Sequence, residues 1–524
     1  MTMTMTMTYR IGIDVGGTNT DAALLNRHGI VVARTKRPTT ADIMSGIDDA
    51  ITALLGEADI DKSAIRRAML GTTHCTNAIV ERKGLNPLAH FRLGAPATLA
   101  IPPLSDIPDD LRRLLSDRLF IVGGGYEYNG DPLAHLDEAL IRRYLREVKG
   151  QVDSISVCGV FAPVSDVQER RVAVLAREEL GPEIAVSLSG EIGSIGLLER
   201  ENACILNAAL HGAVRDITEG FDMALRRHDI HAEIYFGQND GTLMTLRQAR
   251  AFPIHTVASG PTNSIRGASY LADVRDALVV DVGGTTTDIG ILSKGFPRES
   301  SHAAEIGGVR TNFRMPDIIS IGLGGGSIVT VGAGNSIRIG PESVGYELTR
   351  RALIFGGDTI TVTDISVAKG LMHLGDSRRI RHLSAELVER AYARYVGMVE
   401  DAIDRLKTQD DPIPVILVGG GAGLLPTRLR GASKVIRPVN ADVANAAGVA
   451  LAQVSGSVDT IVSLKHRDRE SWLADAALKA RAAAITAGAI PGTVEIIDLD
   501  TLPLAYMPGN AVRIRAKAVG SLKF

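Results

Sequence analysis

Short apolar runs broken by glycine turns set the pattern of this chain. In ALVVDVGGTTTDIGIL (Ala277–Leu292), four apolar residues run into Asp281. A turn of Gly283 and Gly284 carries Thr285–Thr287, Asp288 closes it, and the chain is apolar again. This predicts two buried strands joined by a tight turn. The same pattern occupies YRIGIDVGGTNTDAALL (Tyr9–Leu25). Further strands are predicted over 29–37, 153–161, 233–236, 494–499 and 511–516, and over 413–423, where a strand runs into a triple glycine. Apolar spacing predicts helices over 40–55 and 384–406. Helices are also expected over 165–180 with Ser165 as cap, over 198–226 as one long element, over 441–454 with Asn440 as cap, and over 473–487. Residues 68–84 read as a strand, a polar turn and a helix from about Asn77.

The two glycine turns are copies. Asp14–Asp21 (DVGGTNTD) matches Asp281–Asp288 (DVGGTTTD) at seven of eight positions, offset by 267 residues, about half the chain. A single Asp-Gly-Gly hairpin is common, but two at half-chain spacing suggest a duplicated fold with a ligand between the halves. Glycines let backbone N–H groups approach an anion closely. Thr18, Asn19, Thr285 and Thr286 add side-chain donors beside Gly16, Gly17, Gly283 and Gly284. Asp14 and Asp281, at strand ends, suit Mg²⁺, a hard cation that takes oxygen ligands and keeps water. The arrangement resembles the superfamily of actin, sugar kinases and heat-shock ATPases. That resemblance implies an α/β fold of duplicated actin-like (ribonuclease H-like) lobes around an ATP cleft, with Gly419, Gly420 and Gly421 against the nucleoside.

Composition narrows the class. A hydrophobic share of 45% with 22% charged residues is ordinary for a globular protein, and the net charge of −3 favours neither nucleic acid nor an anionic membrane. Cys75, Cys158 and Cys204 form no CxxC pair, so no zinc ribbon or disulfide framework is expected, and a cytoplasmic setting is. No apolar run approaches a membrane span. The opening MTMTMTMT (residues 1–8) reads as a disordered tail. No Walker A, HExxH or GxSxG motif occurs.

More specific motifs follow in order. GTTHCTNAIVERKG (Gly71–Gly84), LERENACILNAA (Leu198–Ala209), ASGPTNSIRG (Ala258–Gly267), IGLGGGSI (Ile321–Ile328) and YMPGNAVRIRAKAVGSL (Tyr506–Leu522) resemble segments of the hydantoinase A/oxoprolinase family. Ser264 departs from the pattern where a second glycine is usual. The resemblance implies an ATP-dependent enzyme that opens a cyclic amide such as a hydantoin, 5-oxoproline or a lactam, together with a second subunit and an oligomer. It also admits the ATP-using subunit of an acetone- or acetophenone-type carboxylase. Thr73 and Asn77 are candidate catalytic residues on the polar loop; local physics by itself favours a helix cap by Thr76 or Asn77. The loop Gly237–Gly241 is either a plain turn or substrate-facing. Expected divisions are 9–197 (first lobe), 198–460 (second lobe) and 461–524 (a C-terminal extension). An actin-like scaffold and a small-molecule kinase are the rival classes; the family segments argue against the first, and no carboxylate base marks the second.

Overall fold

The computed structural model describes residues 8–523 except 41, 116, 301–303, 314, 333, 335, 466, 505–506 and 508–509. The N-terminal tail and part of the YMPG segment therefore lie outside the described residues.

Two sheets carry the duplicated motif in the same topology. In the first, strand Tyr9–Val15 pairs antiparallel with Asn19–Asn26 and parallel with Ile65–Thr72, and Asn19–Asn26 pairs with Val31–Pro38. In the second, Ala277–Val282 pairs antiparallel with Thr287–Ser293 and parallel with Ile413–Val418, which pairs parallel with Ala432–Ile436. The central strands are apolar on both faces because helices cover both faces of each sheet. The fold is α/β with two actin-like lobes.

Helices Ser259–Ala272 and Ala444–Leu451 join the lobes. The first packs Ile265 and Ala268 on Val279, Leu292 and Ile416 of the second sheet. The second packs Ala446 and Ala450 on Ala23 and Leu25 of the first. Glycine permits their backbone contact: a Cβ on Gly267 would overlap the Ala444 carbonyl, and one on Gly448 the Asn263 carbonyl.

Several sequence expectations change. The helix over 198–226 is two, Leu197–Ala209 and His211–Arg227. Helix Val167–Leu180 starts after Asp166 with no side-chain cap bond, so Ser165 is not its cap. Over 441–454 the chain forms a short 3₁₀ turn, then Ala444–Leu451, and Asn440 makes no capping bond. The lobes do not divide at 198. Strands Glu233–Gly237 and Leu243–Thr245 still belong to the first sheet, and the second sheet begins at Ala277. Within the first lobe, Leu119–Gly123, Leu88–Ala95, Ser154–Gly159 and Ala185–Leu188 form a separate four-stranded parallel sheet that the pattern did not foretell. The C-terminal strands are no detached piece either. Val454–Ser463, Ala511–Gly520 and Glu495–Pro503 extend the first sheet to nine strands, and the expected 460/461 division falls inside the first of them. Helix Arg469–Thr486 covers this end with Ala476, Ala480 and Ala484.

Candidate functional site

The two DVGGT hairpins face each other across a cavity of about 470 Å³ between the lobes. Each turn closes on itself in the same way: the Gly16 amide donates to the Asn19 carbonyl (3.0 Å), the Gly283 amide to that of Thr286 (2.9 Å). Antiparallel register sets Asp14 opposite Asp21 and Asp281 opposite Asp288. Residues on opposed strands share a face, so each hairpin contributes two carboxylates. The turns approach closely, with a Cβ position on Gly284 3.6 Å from Thr18 Cγ2.

Parallel neighbours make room for the carboxylates. Gly71 lies beside Asp14 in register, and a Cβ there would overlap Asp14 Oδ1. Gly419 follows Val418, the register partner of Asp281, at φ +85°, and its Cβ would overlap Asp281 Oδ1. The GTT loop and the triple glycine thus hold equivalent positions in the two lobes.

Asp14 is buried, accepting from Asn263 Nδ2 (2.9 Å) and Asn445 Nδ2 (3.0 Å). Asn445 also donates to Asp21 (2.8 Å), and Lys36 Nζ lies 2.5 Å from the other Asp21 oxygen. Burial pushes the Asp14 carboxyl up to about 7; the Asn263 amide opposes this and the Asp21 charge adds to it. Burial also raises Asp21, against the Lys36 charge, and raises Asp281, against a hydrogen bond from Ser264. Asp288 is pushed up to about 6 by burial, with Ser320 donating to it and the Asp281 charge adding. Four desolvated aspartates therefore line the cavity with one lysine, an arrangement that favours a bound cation.

Leu348, Met372, Leu374 and Leu424 add apolar lining to the cavity beside Gly419–Gly421. Gly260 and Ser264, also on its wall, stand in the first turns of helix Ser259–Ala272. Ala258, left-handed at φ 61°, precedes that helix without a side-chain cap, so its first amides are not used by one. The glycines of Ile321–Ile328 serve the second turn itself: the Gly325 amide donates to the Gly283 carbonyl (3.0 Å) and Gly326 to Gly284 (2.7 Å).

Nearly all the anticipated residues meet here: Asp14, Gly16, Gly17, Thr18, Asn19, Thr73, Asp281, Gly283–Thr286 and Gly419–Gly421 all line the cavity. Asn77 does not; its helix starts at His74, and Asn77 is half-buried one turn in. Nor is Asn77 or Thr76 the cap: the His74 amide donates to Thr72 Oγ1, and Thr76 Oγ1 accepts from the Ala258 amide. Sequence reasoning missed Asp21, Lys36, Ser264, Asp288 and Asn445, which line the cavity, and Asn263, which bonds Asp14. Asp21 and Asp288 were visible in the repeat, whereas no local pattern marks Asn445.

The fold and its cleft define a two-lobed α/β protein of the actin-like class. Residues 200–376 match the hydantoinase/oxoprolinase family, and 10–180 its N-terminal region. The chain belongs to the hydantoinase/oxoprolinase family. It is 28% identical to caprolactamase subunit alpha of Pseudomonas jessenii over 72% of this chain and 57% of that protein. It is 27% identical to the acetophenone carboxylase gamma subunit of Aromatoleum aromaticum over 69% of this chain and 53% of that one. The chain thus spans just over half the length of these curated relatives. The crystal structure of the ATP-dependent caprolactamase from Pseudomonas jessenii has the same fold, with a TM-score of 0.76 at 21% identity, over 98% of this chain and 88% of that one. Among the described residues, no helix is long and apolar enough to cross a membrane.

Proposed function

We propose that this chain is the ATP-using subunit of an enzyme that opens a cyclic amide, of the hydantoin, 5-oxoproline or lactam kind. The observation that carries this reading is the pair of facing DVGGT hairpins, with their four aspartates, across one cavity lined by both polar and apolar side chains. The donor set fits Mg·ATP. Gly16–Asn19 and Gly283–Thr286 present amides and hydroxyls for phosphate oxygens, and the flat turn Gly419–Gly421 with its apolar neighbours suits a nucleoside. No cluster of three or more metal-ligating side chains occurs among the described residues. That accords with Mg²⁺, which is commonly held by one or two carboxylates, substrate phosphates and water; Asp14 and Asp281 are the proposed carboxylates.

Ring amides are resonance-stabilised and poor electrophiles. Bound in the cleft, Mg·ATP supplies a phosphoryl group that turns the amide oxygen into a leaving group and activates the carbon toward water. The residues of this chain hold and orient. Asn263 and Asn445 fix both oxygens of Asp14. Lys36 neutralises Asp21. Thr73 presents its side chain to the cavity beside Gly260. Caprolactamase and acetophenone carboxylase are named through their subunits, which supports a second polypeptide carrying the later chemistry. The match to the carboxylase subunit supports a second reading, ATP activation for carboxylation of a ketone.

The test is ADP release by the purified chain, with and without the product of the adjoining gene, against hydantoins, lactams, 5-oxoproline, and ketones with bicarbonate. Stimulation by a cyclic amide that is opened only with the partner supports the proposal. Stimulation by ketones alone supports the carboxylase reading, and complete ring opening by this chain alone contradicts the two-subunit assignment.

A further inference from the structure

A second cavity, of about 420 Å³, lies apart from the nucleotide cleft. Its wall is assembled from stretches far apart in the chain: 190–194 beside the inserted sheet, the loop at 238–240, His255, Glu299, 312–313 and the C-terminal strands at 455–459 and 513–517. It includes the 238–240 loop, for which a plain turn and a substrate-facing loop are the two readings of the sequence, and Arg513 and Lys517 of the C-terminal strands.

The chemistry of this wall is unusual for a merely structural void. Lys517 is 8% exposed in its side chain and lies 2.8 Å from Asp240 and 3.6 Å from Glu299. Glu299 also pairs with Arg515 (3.0 Å), Asp459 with Arg513 (2.5 Å) and Glu191 with Arg170 (3.1 Å). Each carboxylate on the wall thus has a cationic partner, and the cavity is strongly polar yet electrically balanced. Burial pushes Asp240 up, but the Lys517 charge outweighs it and lowers the carboxyl to about 2. Burial holds the His255 imidazole below its ordinary value. Lys517–Asp240 is the buried pair; a buried ion pair is weak as a stabilising device compared with apolar packing, so one set on the wall of an open volume points to a ligand.

Asn263 and Thr262 of helix Ser259–Ala272 lie between this cavity and the nucleotide site. Asn263 donates to Asp14 in the cleft, and its Oδ1 lies 3.0 Å from the Cβ position of Gly237, the residue before Gln238 of the second cavity. Thr262 Oγ1 donates to the Gln238 carbonyl (3.3 Å).

We propose that this second cavity binds a small amino-carboxylate, a molecule with one ammonium and one carboxylate and no net charge. The choice of ligand rests on the proposed cyclic-amide reading: hydrolytic opening of a lactam breaks the C–N bond and leaves a carboxylate and an amine on one molecule. A balanced wall accepts such a dipolar ion by setting its ammonium against a carboxylate such as Asp459 or Asp240 and its carboxylate against Lys517 and the hydroxyls of Ser455 and Ser457. A ligand with net charge of either sign leaves the balance unmet.

The test is calorimetry on the full chain with 6-aminohexanoate, hexanoate and hexylamine, in the wild type and in Ser457→Phe and Lys517→Met. Ser457 is exposed on the wall, so Ser457→Phe fills the volume and leaves the ion pairs in place; Lys517→Met removes the central cation. The expected result is saturable binding of 6-aminohexanoate, at least about tenfold weaker binding of hexanoate and hexylamine, and loss of binding in Ser457→Phe with Mg·ADP binding unchanged. Absence of saturable heat at millimolar 6-aminohexanoate overturns the proposal. So does equal binding of hexanoate or hexylamine, or binding that survives both substitutions. Mg·ADP binding and amide-stimulated turnover are read separately, so failure here is distinguishable from failure of the ATP-dependent reading.

Discussion

Replacing Asp14 with asparagine keeps its shape and removes a charge that folding disfavours. The carboxyl moves from 3.8 to about 7 on burial. At about 1.4 kcal/mol for each tenfold change in proton affinity, the ionised group costs the folded state about 4 kcal/mol above about pH 8. The sign follows from linkage. Because the folded value lies above the unfolded one, the wild type is fully stabilised by the proton below 3.8 and loses that contribution as pH rises to about 7. Asp14→Asn loses this slope. Its new amide also faces the Asn445 amide that now donates to Asp14, and a frustrated donor costs about 1–3 kcal/mol. The net expectation without nucleotide is a gain of about 1–3 kcal/mol at pH 8 that disappears near pH 4. Mg-dependent ATP turnover falls by about 100- to 1,000-fold, about 3–4 kcal/mol of transition-state stabilisation. The assay is paired: thermal melting from pH 4 to 8 without ligand, and ADP release with Mg²⁺. A variant that melts far lower at pH 8 and turns over normally refutes the reasoning and makes Asp14 a structural residue.

Three further outcomes follow from the geometry. Thr73→Ala lowers ATP turnover by about tenfold while Asn77→Ala leaves it within about twofold, because only Thr73 reaches the cleft; equal effects on steady-state rates contradict this. Gly419→Ala abolishes turnover and destabilises by about 2 kcal/mol or more, since its φ of +85° and its contact with Asp281 Oδ1 exclude a Cβ; a normal melt and rate contradict it. Glu201→Gln destabilises by about 3–5 kcal/mol, measured by denaturation, with little change in turnover per folded molecule. Glu201 is buried and pairs with Arg92 and His90 in the inserted sheet, where their charges, overcoming burial, hold its carboxyl near 2.

The DVGGT turns were legible because they are local and duplicated: seven of eight residues recur, and a fixed register then dictates that Asp21 faces Asp14 and Asp288 faces Asp281. The triple glycine was legible for a related reason, since only a residue without Cβ fits against Asp281. What the sequence could not show is long-range pairing. Asn445 meets Asp14 across 431 positions, and nothing in its own neighbourhood marks it. The C-terminal strands looked detached because Val454 meets Leu243 through a single parallel bridge, a contact without local periodicity. The inserted four-stranded sheet was hidden for a different reason: its strands read as ordinary elements of a first lobe, and only their pairing separates them. Asn77 was misplaced by one helical turn, enough to carry its side chain out of the cleft.

The central claim is that the two hairpins hold the phosphates of one ATP between the lobes. It is tested most directly by calorimetric titration of a non-hydrolysable ATP analogue with Mg²⁺ into the wild type, Gly17→Val and Gly284→Val. A Cβ at Gly17 meets nothing within 4 Å in the protein and one at Gly284 meets only Thr18, so both variants are expected to fold, and their new side chains enter the space assigned to phosphate. The account predicts one site per chain in the wild type and at least about 100-fold weaker binding, about 3 kcal/mol, in each variant. Undiminished affinity in both variants would contradict it.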